Sequence, residues 1–189
     1  MYYRELLDRI DEVTSKIDPL EFKKIVDIIK EARRIYIIGA GRSGLVAKAF
    51  AMRLVHLRKR TFVVGETVVP AMRKQDILIA VSGSGRTKSV VEIAKTAKSI
   101  GGKVVAVIGD KQSELAQRSD LIVEIPVPKV KDVITSYDSR QLIGKITLVP
   151  LGSLFELSAM IFFECVIAEL MRKLEISEEE MKREHTILE

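Results

Sequence analysis

The sequence predicts an α/β protein, a three-layer αβα sandwich around a five-stranded parallel sheet, with two helices before it and a helical tail after it. Residues 35–38, 61–64, 77–81, 104–108 and 121–125 are short β-branched runs, apolar at odd and even positions alike. A strand needs that pattern only where both faces of its sheet are covered. Helical stretches at 43–57, 88–100 and 113–118 separate most of these runs, and such β-α alternation closes by right-handed crossovers. The length, 189 residues, suits one domain with a sizeable core, residues 1–189 taken together.

The elements follow in order. Leu6, Leu7, Ile10, Val13 and Ile17 recur at helical spacing and make a first amphipathic helix. Asp18-Pro19-Leu20-Glu21 starts a second, with Asp18 as cap, Pro19 in the first turn and Glu21 reaching back. This N-terminal region, 1–32, is expected to lie outside the β-α core of 33–150, so its apolar stripe needs something to bury it. Residues 126–150 form a connection of little periodicity, functional or interface-forming by its length. The last region, 151–189, holds a long apolar helix from 154 to about 174 and a charged tail, 177–189.

Composition excludes several function classes. The longest stretch without a charged side chain is ten residues, 146–155, about half of what a membrane-spanning helix needs. The charged N-terminus does not read as a secretory signal, so a cytoplasmic protein is expected. One cysteine and two histidines cannot build a Cys/His zinc cage, so no structural metal is expected. The net charge of +5 comes from 31 basic residues spread among 26 acids, without the aromatic interleaving of single-strand binders. Anionic small molecules fit this balance as well as nucleic acid does, and no nucleic-acid partner is expected. Asparagine is absent while Lys, Arg and Glu abound, the trend of proteins that work hot.

Two loops carry the chemistry, since ligands of such sheets bind at the carboxyl ends of the strands. After the first strand, Gly39-Ala40-Gly41-Arg42-Ser43-Gly44 is a full G-x-G-x-x-G opening a helix, where backbone N–H groups can approach an anion. A dinucleotide site would add an acid after the second strand, and Glu66 stands 22 positions beyond Gly44. The plainer alternative is that the glycines only permit tight strand-to-helix packing. After the third strand, Ser82-Gly83-Ser84-Gly85-Arg86-Thr87 offers three hydroxyls, backbone N–H groups and the positive end of a helix dipole, a pocket suited to a phosphomonoester. Its plainer alternative is a capped helix with Ser84 as cap.

These loops, together with the final Arg183-Glu184-His185-Thr186-Ile187-Leu188-Glu189, resemble the sugar isomerase (SIS) domain, a flavodoxin-like fold. Gly41-Arg42-Ser43-Gly44-Leu45-Val46, Gly65-Glu66-Thr67 and Gly152-Ser153-Leu154-Phe155-Glu156 are similar to the 6-phospho-3-hexuloisomerases within it. That resemblance implies interconversion of 3-hexulose 6-phosphate and fructose 6-phosphate in the ribulose monophosphate pathway, by a homotetramer that uses neither metal nor nucleotide. The chain departs from the family at Arg86, where an acid is more usual, and at Thr186-Ile187 after the histidine, where a small residue and Asn are expected.

Moving a carbonyl from C3 to C2 removes a proton from C2, forms an enediol and returns a proton to C3, work that one carboxylate can do. The resemblance places that base at Glu156, though Ser153-Leu154-Phe155-Glu156 also reads as a capping box. It makes His185 a second catalytic residue that assists proton transfer or ring opening in a neighbouring subunit, against the alternative of a solvated histidine. Substrate contacts are then expected from Gly41, Arg42, Ser43, Glu66, Ser82, Gly83, Ser84 and Thr87. Arg42 would balance substrate charge, stabilise the enediolate oxygen or pair with Glu66, which itself has three candidate duties: ribose ligand, sugar-hydroxyl acceptor or structural partner of a basic residue. His56 is expected to be structural or at an interface, and Cys165 a buried small residue. A phosphosugar sensor without chemistry and a dinucleotide-binding protein are the competing functions.

Overall fold

The computed structural model describes residues 2–128 and 153–184. Helices α1 (Tyr2–Thr14) and α2 (Pro19–Glu31) lead into β1 (Ile35–Gly39), α3 (Gly41–His56), β2 (Thr61–Val63), β3 (Ile77–Ser82), α4 (Lys88–Ile100), β4 (Lys103–Ile108), α5 (Glu114–Gln117) and β5 (Leu121–Glu124). After the segment 129–152, which lies outside the described residues and holds all but the first three positions of the long connection, come α6 (Ser153–Leu174) and α7 (Glu178–Arg183). All strand pairs are parallel and the order is β2-β1-β3-β4-β5.

Alternate side chains of each strand feed two cores, which is why the strands are apolar throughout. Ile35, Ile37, Ile77, Ile79, Val105 and Val107 join α2, α3 and α6 on one face. Tyr36, Leu78, Ala80, Val104, Ala106 and Ile108 join α4 and α5 on the other. The sheet grows from β1 in opposite directions, so crossovers of one hand set α3 and α4 on opposite faces.

Two expectations about the N-terminal helices are corrected. The second helix belongs to the core: Ile25, Val26 and Ile29 of α2 are fully buried against β5 and α6, while α1 packs on α6 and leaves Tyr2, Tyr3 and Leu7 exposed. Asp18 does cap α2, accepting the Leu20 N–H at 2.8 Å, but Glu21 does not reach back. Its carboxylate instead accepts the Glu124 N–H at 2.8 Å and pairs with Lys111 at 2.8 Å. As an edge strand, β5 presents unpaired backbone donors, and a carboxylate from the helix packed beside it satisfies one of them.

Candidate active site

Since the sheet is wound outward from β1 and β3, their carboxyl ends open a crevice where the chain leaves in opposite directions. The glycine loop after β1 divides its labour. A Cβ on Gly39 would lie 2.8 Å from the Ser43 carbonyl oxygen, and one on Gly44 would lie 2.9 Å from that of Gly39, so these two serve strand-to-helix packing. Gly41 differs: its φ of +56° is left-handed and nothing crowds its missing Cβ, leaving an open approach to the start of α3. Ser43, within that first turn, is partly exposed.

The loop after β3 is layered. Ser82 is buried, 3% exposed; its hydroxyl accepts the Gly85 N–H at 3.1 Å and lies 3.0 Å from the Thr87 hydroxyl. Thr87 is partly exposed and Ser84 exposed. The helix cap is Thr87, not Ser84, and it makes no side-chain capping bond because its hydroxyl is turned to Ser82. Ser84 Oγ accepts the Arg86 N–H at 3.2 Å, which leaves its own proton to be donated outward. Ser84 and Thr87 therefore lie at the surface of the loop, with Ser82 behind them. Ser84→Ala is expected to weaken phosphosugar affinity by roughly ten- to a hundredfold, as for loss of one charge-assisted hydrogen bond. Titration with fructose 6-phosphate measures it, and unaltered affinity would mean the loop does not hold the phosphate.

Helix α6 brings its first turn to this crevice. A Cβ on Gly83 would lie 3.0 Å from the Phe155 ring, so the glycine is what lets α6 approach the loop. One residue on, Glu156 Oε2 accepts from Arg42 Nε, and Arg42 Nη2 donates to Ser153 Oγ at 3.2 Å. Both groups of the expected capping box are thus engaged by an arginine from the glycine loop, and the start of α3, the loop after β3 and the start of α6 meet in one place. The carboxylate is 12% exposed and the arginine 59%.

Arg42 does not pair with Glu66. Glu66 instead meets Lys48 of α3 at 2.5 Å, an exposed ion pair that borders, with Gly39, Gly41, Gly44 and Gly65, an open pocket of about 330 Å³. Sequence reasoning missed Lys48, which belongs to no motif, and gave Ser153 a place in a family motif and a capping role but no contact with Arg42. On the other face of the sheet, Tyr36 holds the connection between β2 and β3 by donating to the carbonyls of Pro70 at 3.1 Å and Ala71 at 3.2 Å.

His185 lies outside the described residues. Glu184, the last described one, pairs with Arg58 at 2.9 Å, just past the end of α3 opposite to Arg42. At 1.5 Å per residue, α3 separates those two arginines by about 24 Å. A larger cavity, about 500 Å³ and lined by Arg53, His56, Glu164, Met171, Met181 and Lys182, lies along α3, α6 and α7. Among the described residues it holds none of the expected site residues, and the two glycine-bearing loops mark the better candidate. His56 is buried, 7% exposed, consistent with a structural place. Cys165 is corrected: it is exposed, beside Ile161 and Phe22, on the outer stripe of α6. Among the described residues no three His, Cys, Asp or Glu side chains cluster as a metal site, and no helix is long and apolar enough to cross a membrane.

Comparison with known proteins agrees with this geometry. The SIS domain model matches residues 28–144. A 3-hexulose-6-phosphate isomerase of Methanocaldococcus jannaschii is 38% identical, over 93% of this chain and 85% of that one. Its counterpart in Bacillus subtilis is 36% identical over 100% of this chain and 97% of its own. The fold matches the crystal structure of a Methanococcus jannaschii protein, from which a molecular function of 3-hexulose-6-phosphate isomerase was inferred, at a TM-score of 0.83 with 34% identity, covering 98% of this chain and 99% of that one. The chain belongs to the SIS domain family and, within it, to the 3-hexulose-6-phosphate isomerases. Dinucleotide binding, which rested on the first glycine loop and Glu66, is thereby set aside.

Proposed function

We propose that Glu156 is the proton-transfer base of an isomerase that interconverts 3-hexulose 6-phosphate and D-fructose 6-phosphate. The observation that supports this role is the placement of a mostly buried carboxylate, held by Arg42, one residue from the ring that packs on the phosphate loop. Ser84 and Thr87, with the N–H groups that open α4, take the phosphate, while Ser82 orients Thr87 and Gly83 leaves room for Phe155. Glu156 removes the C2 proton to leave a 2,3-enediolate with its charge on O3, a proton passes from O2 to O3, and the same carboxylate returns its proton to C3 as the carbonyl forms at C2. Arg42 fixes Oε2, and proton transfer falls to Oε1. Gly41 and Ser43 at the start of α3, and Glu66 with Lys48 across from it, line the sugar side of the crevice.

His185 completes the site from a neighbouring subunit in this reading. Support comes from the position of Glu184, a helix length from Arg42, and from the apolar side chains left exposed on α1, α3 and α6, among them Leu7, Leu45, Met52, Val55 and Ile161. Such surface in a soluble enzyme calls for a partner. A cytoplasmic homotetramer without resident metal or nucleotide, serving the ribulose monophosphate pathway, belongs to the same reading.

Incubation with fructose 6-phosphate tests the activity directly: a 3-ketohexose phosphate must appear, and its absence with a folded, phosphate-binding protein would rule the isomerase out. The shared site has its own test. Mixing inactive Glu156→Gln and His185→Ala proteins under subunit exchange is expected to restore part of the activity, because some mixed sites then contain both parent residues. No recovery despite demonstrated exchange would place both residues in one chain or remove His185 from the chemistry.

A further inference from the structure

Beneath the phosphate loop runs the β4-to-α5 connection, and the two are keyed together. Gly109 N–H donates to the Gly83 carbonyl at 3.0 Å, and Leu115 N–H to the Gly85 carbonyl at 3.0 Å. Gly85, at φ +61°, leaves no room above Ser113, whose Oγ would sit 2.0 Å from an added Cβ. This connection carries an acid, Asp110, directly after Gly109. Its side chain is 14% exposed, Oδ1 accepts the Gln112 N–H at 3.1 Å, and Oδ2 meets Arg86 Nη1 at 2.8 Å. The next residue, Lys111, gives its ammonium to Glu21 and Glu124 instead. A carboxylate mostly out of water and next to a phosphate loop opposes the binding of a dianion, since like charges meet there in a poorly screened setting.

Arg86 sits in the phosphate loop itself. Nη1 also donates to the Ser84 carbonyl at 3.2 Å, and the Arg86 backbone N–H holds Ser84 Oγ. The guanidinium is therefore folded onto the loop's own carbonyl and Asp110.

We propose that Arg86 is a positioning residue of the phosphate loop, which cancels the Asp110 carboxylate and so sets the affinity of the site for a phosphate dianion. The identity of the substrate rests on the isomerase reading; the charge relation does not, and inorganic phosphate is the probe that separates them.

Calorimetric titration with inorganic phosphate and steady-state kinetics with fructose 6-phosphate test it on four proteins: the parent, R86A, D110N and R86A/D110N. R86A takes the guanidinium away from the carboxylate and is expected to raise the phosphate dissociation constant and KM roughly tenfold or more, with kcat within about threefold of the parent, an effect that shrinks as salt is added. D110N keeps an acceptor for Arg86 but removes the charge, and is expected to bind phosphate more tightly than the parent. The double variant should return to within about threefold of the parent. A pair that merely braces the loop would make D110N neutral or weaker, and an arginine that touches phosphate itself would leave R86A/D110N as weak as R86A. Either result overturns the proposal, as does unaltered binding by R86A. Should R86A fail to fold, R86Q, which retains a donor for the Ser84 carbonyl without the charge, carries the same comparison. A parent that binds phosphate without turning over the sugar sinks the isomerase reading and leaves this comparison intact.

Discussion

Glu156→Gln is expected to lower turnover of fructose 6-phosphate by roughly a thousandfold and to abolish solvent deuterium incorporation into the sugar, because an amide cannot take the C3 proton of that substrate. Phosphate affinity should stay near the parent's, since the base acts at the other end of the substrate from Ser84 and Thr87. The fold should survive as well: the Gln carbonyl can still accept from Arg42 Nε, and the burial of Phe155 against Gly83 does not change. A helix-capping residue would behave in the opposite way. Loss of a cap costs about 1 kcal/mol of stability and leaves chemistry largely intact. A folded Gln variant with near-normal turnover excludes Glu156 as the base, whatever its effect on melting.

Asp76→Ala should produce the largest loss of stability, through a site at the other edge of the sheet from the crevice. Asp76 Oδ1 accepts from Arg34 Nε at 3.1 Å, and Oδ2 accepts from Arg34 Nη2 at 2.5 Å and from the Arg73 N–H at 2.7 Å. Arg34 is 7% exposed and Asp76 3%, with the guanidinium 5.9 Å from the centre of the Tyr36 ring. These residues directly precede β1 and β3, the central pair of strands. Truncating the aspartate leaves an arginine buried without its counter-charge, a change that costs about 3–5 kcal/mol. For a domain of this size that lowers Tm by roughly 10 °C or more. Thermal unfolding measures it, and turnover at low temperature should remain because no crevice residue is touched. A melting point within about 2 °C of the parent's would show the pair to be energetically idle.

Local pattern carried much of this protein in plain view. All five strands and the helix at Lys88–Ile100 follow from apolar runs and their period, and these are features that neighbours in the chain impose on one another. The two loops were legible for the same reason: glycines, hydroxyls and a following helix start lie within six residues, so one short segment carries all the parts of a candidate anion site.

What only the tertiary structure decided were side chains with one partner nearby and another far along the chain. Glu156 has a local cap within three residues and an arginine 114 positions away, and it takes the arginine. Glu21 likewise has its own helix start at hand and accepts instead from Glu124, 103 positions on. A cap is worth about 1 kcal/mol, and a charge-assisted bond to a mostly buried carboxylate or an unmet strand amide is worth as much or more, so the distant partner prevails. Cys165 and α2 belong to the same class. Which stripe of α6 stays outside, and whether α2 is appended or central, depend on how many helices crowd one face of the sheet. The long apolar helix is compatible with either arrangement, since periodicity shows that an apolar face will be buried and does not name the element that buries it.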